Sequence, residues 1–177
     1  MIASDTPTNV PKAKTPLSTW LWLGSPLAIL IAGGWWMWIN RVPVATLSAQ
    51  RNAAPAVGHP APDFTLNTLD GGTLALNDLV GTPVVLNFWA TWCGPCRNEM
   101  PALQAASERF GDRVRILGVD QAEDAATVQA YVDELGITFT IPMDPDLQVS
   151  SGLYNVQGLP TTYFIDANGE INKVWMG

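Results

Sequence analysis

From Thr15 to Asn40 the chain runs 26 residues without a charge, "TPLSTWLWLGSPLAILIAGGWWMWIN". No polar face interrupts it. At about 1.5 Å of rise per helical residue it can cross a hydrocarbon core of ~30 Å. Trp20 and Trp22 stand at one end, and Trp35, Trp36 and Trp38 at the other. Trp20 and Trp38 would lie about 27 Å apart along a helix, the spacing of two interfacial aromatic belts. Pro26 and Gly33-Gly34 weaken a helix but are tolerated in membranes. The pattern predicts one uncleaved transmembrane anchor over residues 17–39, behind a polar tail at 1–16. A cleaved signal peptide is the rival reading. Against it, the run is long for such a segment, and the small residues Ala54-Pro55-Ala56 lie far downstream.

Residues 40–58 are rich in Ala, Pro and small polar groups and read as a tether. Beyond them the periodicity changes, and a domain is expected over 59–177. "PDFTLNTLDGGTLALNDLVG" alternates about Asp70-Gly71-Gly72, which predicts a β-hairpin. "PVVLNFW" (83–89) is continuously apolar, as in a strand buried on both faces. A helix over about 95–110 should follow, then a strand at 113–120. "EDAATVQAYVDELG" opens among acids and closes on Gly136, which predicts a second helix. "TFTIPMD" (138–144) reads as a short extended piece and "PDLQVSSGLY" as a short helix. "TTYFID" (161–166), Asn168-Gly169 and "EINKVWM" predict a closing hairpin. This order gives an α/β domain whose mixed sheet joins a parallel βαβ half to an antiparallel half.

Charge separates the two regions. Residues 1–51 carry four basic groups and one acid, whereas residues 52–177 carry five basic groups and fifteen acids. Such an acidic domain should not bind nucleic acid, which needs clustered Lys and Arg. Lys12 and Lys14 precede the expected span and Arg41 and Arg51 follow it, so the positive-inside bias is small.

Cys93 and Cys96, in "NFWATWCGPCRNEMP", are the only cysteines. A structural zinc site needs four Cys or His ligands, and His59 is the one histidine, so no metal is expected. A static disulfide closing so small a loop would stabilise little. The redox reading has positive grounds. The pair follows a buried strand and opens a helix, where unpaired N–H groups and the helix dipole favour a thiolate on Cys93. Gly94 permits the tight entry, and Pro95 costs no hydrogen bond in the first turn. Cys93 would attack a substrate disulfide and Cys96 would resolve the intermediate.

"FWATWCGPC" resembles the thioredoxin active-site segment, and "GLPTTYFID" (158–166) resembles its second signature. The resemblance covers about 59–177. It implies a thioredoxin fold with a mixed central sheet, flanking helices, an N-terminal hairpin and a central insert at about 121–157. It implies that Pro160 is a cis proline facing the Cys pair, with Leu159 beside an extended client segment paired in β-addition. Trp92 would belong to the client platform. "NFWATWCGPCRNEMP", the hairpin and the tether resemble membrane-anchored, extracytoplasmic thioredoxin-like proteins of the cytochrome c maturation group. That resemblance implies a single-pass inner-membrane protein with its catalytic domain in the periplasm. Its partners would be disulfide-bonded clients, apocytochrome c among them, and a membrane thiol electron donor; no cofactor is expected.

Two departures stand out. Cytoplasmic thioredoxins carry a buried Asp six residues before the first Cys, and here that position is Asn87. Glu99, three residues after Cys96, is the expected substitute as proton carrier. The sequence also reaches "NKVWMG" where relatives continue into a last helix, so Val174 is expected to be exposed. Arg97 would either favour the thiolate or lie solvated on the helix. A thiol peroxidase of the related peroxiredoxin family is one alternative, but it wants Thr or Ser where Ala90 stands. Copper delivery would want a late His. A non-catalytic anchored binding module is the other alternative.

Overall fold

The computed structural model describes residues 52–177, together with Ile31 and Trp35. The expected tail, anchor and most of the tether lie outside the described residues. Among the described residues no helix is long and apolar enough to cross a membrane. The chain divides into two units, residues 1–43 and 44–177; only the second is considered below.

Strands β1 (Thr65–Asn67) and β2 (Thr73–Ala75) form the expected hairpin as a separate two-stranded sheet. A 3-10 turn, Leu76–Leu79, leads to β3 (Val84–Trp89). Then come α1 (Gly94–Phe110), β4 (Arg115–Gln121), α2 (Ala125–Leu135) and β5 (Met143–Asp144). A π-helical turn, Gln148–Leu153, precedes β6 (Thr161–Ile165) and β7 (Ile171–Met176). The main sheet has the order β5-β4-β3-β6-β7. β3, β4 and β5 run parallel, and β6 and β7 are antiparallel additions. This is the thioredoxin-like mixed sheet expected from the sequence.

β3 is central, which explains its unbroken apolar run: each face meets a different core. Leu86 and Phe88 point into one cluster with Tyr154, Tyr163 and Phe64. Trp89 points into the other, with Cys96 and Met100 from α1 and Val128, Tyr131 and Val132 from α2. Both Leu86 and Phe88 are fully buried, each worth about 1.5–3 kcal/mol relative to exposure. α2 is bounded as its sequence required. Asp124 caps its start by accepting the Thr127 N–H (3.0 Å), and Gly136 ends it at φ +63°.

Three boundaries differ from expectation. The folded unit reaches back beyond His59: Ala54 N–H donates to Pro60 O (3.1 Å) and Gly58 N–H to Ile171 O (2.8 Å). The end of the expected tether is thus tied to the sheet, because its polar backbone finds partners there. The 138–144 segment is strand only at Met143–Asp144, with isolated bridges at Thr140 and Pro142. Val174 is half-buried against the first cluster rather than exposed; Trp175 and Met176 are the exposed apolar residues of β7. The pleat decides this, since Val174 pairs with inward-facing Tyr163 and its neighbour faces the other way.

Candidate active site

Cys93 and Cys96 form a disulfide at the N-terminus of α1. Cys93 is the N-cap, and the Cys96 N–H donates to its sulfur (3.2 Å). A sulfur receiving an N–H at the positive end of a 17-residue helix is well placed to hold a thiolate once reduced. Cys93 keeps 4 % of its surface exposed and Cys96 none, so the first sulfur is the one open to attack. Gly94 and Pro95 are exposed beside it. Trp92 is 72 % exposed, which is unusual for the largest apolar side chain, and it stands at the rim of the Cys pair.

The Leu159–Pro160 peptide is cis, and Thr161 pairs with Phe88, which places this loop at the same sheet end as the cysteines. Leu159 is half-buried and packs on the cluster that contains both of them. The expected client-facing residues Trp92, Gly94, Pro95, Leu159 and Pro160 therefore gather around one disulfide.

Asn87 is fully buried beneath this end of the sheet. Its Nδ2 donates to Glu99 Oε1 (2.7 Å) and to Thr162 Oγ1 (3.0 Å). Burial pushes the Glu99 carboxyl above its ordinary range, and the Asn87 hydrogen bond only partly offsets this. Glu99 also lines an apolar groove of about 400 Å³ with Ala102, Leu103, Phe164 and Trp175. Arg97 does not face the cysteines. It pairs with Glu134 of α2 and lies over the Tyr131 ring, 5.3 Å from its centre. His59 is exposed. Among the described residues no group of three or more His, Cys, Asp or Glu side chains is placed to hold a metal.

A second acidic group lies here that sequence reading passed over. The Thr91 N–H donates to Glu123 Oε2 (2.6 Å), and the Thr91 hydroxyl donates to the other carboxylate oxygen. Ala122, just before Glu123, has φ +59°. That left-handed conformation costs an Ala about 1–2 kcal/mol, and it turns the chain back so that Glu123 reaches the Cys loop. The signal was present as Asp120 at the C-terminal end of a buried parallel strand, where α/β sheets place functional groups.

The sequence model of the AhpC/TSA family matches residues 57–174. The chain belongs to this family. It is 35 % identical over 161 residues to the thioredoxin-like protein YneN of Bacillus subtilis, covering 88 % of this chain and 89 % of that one. It is 42 % identical over 125 residues to the thiol-disulfide oxidoreductase ResA of Geobacillus kaustophilus, covering 70 % and 71 %. A secreted Mycobacterium tuberculosis disulfide oxidoreductase, homologous to DsbE of E. coli, superposes with a TM-score of 0.58. That match has 31 % identity and covers 63 % of this chain and 81 % of the other. This AhpC/TSA-family chain is a thiol–disulfide oxidoreductase of the ResA/DsbE type, with its cysteines in the Cys-X-X-Cys spacing. The position three residues before Cys93 is Ala90, fully buried and without a hydroxyl.

Proposed function

We propose that this oxidoreductase reduces disulfides of protein clients outside the cytoplasmic membrane, held there by the apolar run at 17–39. Apocytochrome c is within this class of client. The observation that carries the reductive reading is Glu99, half-buried and bound to Asn87 one turn beyond Cys96. A carboxylate there can take the proton of the resolving thiol.

The chemistry then runs in two exchanges. The Cys93 thiolate attacks one sulfur of the client disulfide; a Cys93–client bond forms, the client S–S bond breaks, and the first client thiolate leaves and takes a proton. Glu99 accepts the Cys96 proton, and Cys96 attacks the Cys93 sulfur. The second client thiolate leaves, taking up a proton, and Cys93–Cys96 is left as the disulfide. Two electrons pass from the protein dithiol to the client. Outside the cytoplasm no thiol pool restores them, so a membrane dithiol donor is required. Trp92 and the half-buried Leu159 suit an extended client segment, because an exposed ring beside a loop residue recognises chain rather than one sequence.

Trapping tests this. A Cys96→Ser chain should accumulate mixed disulfides through Cys93 with extracytoplasmic proteins, and a Cys93→Ser control should accumulate none. Insulin reduction that continues in Cys93→Ser would defeat the proposal. So would a redox titration showing that the pair oxidises rather than reduces its trapped clients.

A further inference from the structure

Asp120 is the penultimate residue of β4, in register with Trp89. It is fully buried and neither carboxyl oxygen completes a hydrogen bond, although the Glu123 backbone N–H lies near enough to favour its charged form a little. Its neighbour is itself an acid, Glu123, whose own carboxylate is occupied by the Thr91 N–H and hydroxyl. Among the described residues no cation pairs with either acid. Asp144 on β5 adds like charge and spends its oxygens on Ser150 and Val149. From α2 the facing group is Tyr131, whose hydroxyl is buried without a partner, and Arg97 of α1 above it is paired with Glu134. Asp120 is buried and Glu123 half-buried beside it, and two adjacent carboxyl groups of which one is out of water resist ionising together. The geometry has one economical solution: Asp120 keeps a proton and directs it at Glu123, whose carboxyl oxygens accept from Thr91.

We propose that Asp120 and Glu123 share one proton and act as a positioning pair that fixes the loop carrying Trp92 and Cys93. Thr91 is the link, since it is held by Glu123 and lies two residues before Cys93. Burial, together with the Glu123 charge, pushes the Asp120 carboxyl up to about 8. Above that pH the pair carries two charges, Glu123 is driven off Asp120, and the Thr91 grip loosens. Glu99 has no part in this, being bound to Asn87.

The inference rests on the disulfide-reductase reading, and the test separates the two. Insulin reduction is followed against pH for the wild-type full chain and for Asp120→Asn, whose amide still donates to Glu123 but cannot titrate. Wild type should lose activity on the alkaline side with an inflection at about 8. Asp120→Asn should lack that inflection while keeping the one due to Cys93. An inflection that survives in Asp120→Asn overturns the proposal; loss of all Cys93-dependent turnover in wild type overturns the function instead. A second measurement needs no change at Asp120. In a Glu99→Gln chain, infrared spectroscopy at neutral pH should show a protonated carboxyl band that vanishes above about pH 8. A site with no protonated carboxyl at neutral pH overturns the pair.

Discussion

Glu99, half-buried, and Asp120, fully buried, are acids near one disulfide, and the chain treats them differently. Glu99 has an amide donor and a groove; Asp120 has only another acid. For Glu99→Gln we expect neutral-pH disulfide reduction to fall by on the order of 10²-fold, as for other positioned bases. The pH profile should lose its acidic limb. The sign of the stability change follows from the raised pKa. The folded state holds the Glu99 proton more tightly than the unfolded chain, so stability falls as pH rises from the ordinary value of 4.5 through the raised one. Glu99→Gln should therefore melt higher than wild type at neutral pH, with the gap closing below 4.5; a gap independent of pH, by calorimetry, would remove the buried charge from the account. Of these acids Glu99 was legible in the sequence, because helical spacing from Cys96 names it. Asp120 was not. In "GVDQAED" it sits among residues that look like a solvated acidic loop; its place near the end of a parallel strand was a signal, but that β4 is buried as far as Asp120 shows only in the fold.

At the scale of elements, the central strands were readable because both faces of β3 are apolar. The weaker elements were not. β5 is two residues long, and its pairing with β4 is fixed by backbone bonds such as Asp120 N–H to Pro142 O (3.0 Å) rather than by any side-chain pattern. Gly118 in β4 has a packing reason that no periodicity reveals. A Cβ there would lie 2.8 Å from the Phe139 ring and 3.0 Å from Trp89 Nε1. Gly118→Ala should lower stability in a urea melt by about 1–3 kcal/mol, the range for overpacking a tight core. It should also push on Trp89, and so on the second cluster beneath the cysteines. A variant as stable as wild type would show that α2 and its following loop yield readily.

For the whole molecule, the sequence divides an uncharged, Trp-flanked run from an acidic domain. The domain's architecture followed from its element order, whereas its start did not: residues 54–58 show no strand or helix periodicity, and backbone hydrogen bonds tie them to the fold. If residues 17–39 anchor the protein, the full chain should sediment with membranes and resist alkaline carbonate, while a chain beginning at Arg51 should be released. Extraction of the full chain by carbonate would dismiss the anchor and leave the disulfide chemistry intact.

The groove that Glu99 lines opens along the flank of α1, whereas Trp92, Gly94 and Pro95 mark the front, where a client lands. With Glu99 in its proposed role as proton carrier, electrons and protons would have separate doors. A large client could then cover the sulfur atoms without stoppering the acid proposed to take up and release the proton. Occluding the flank, for instance with a bulky label at Ala102 or Ala106, should slow the second thiol exchange and leave client capture untouched. The enzyme's tolerance of client size would then be a property of its back rather than of its face.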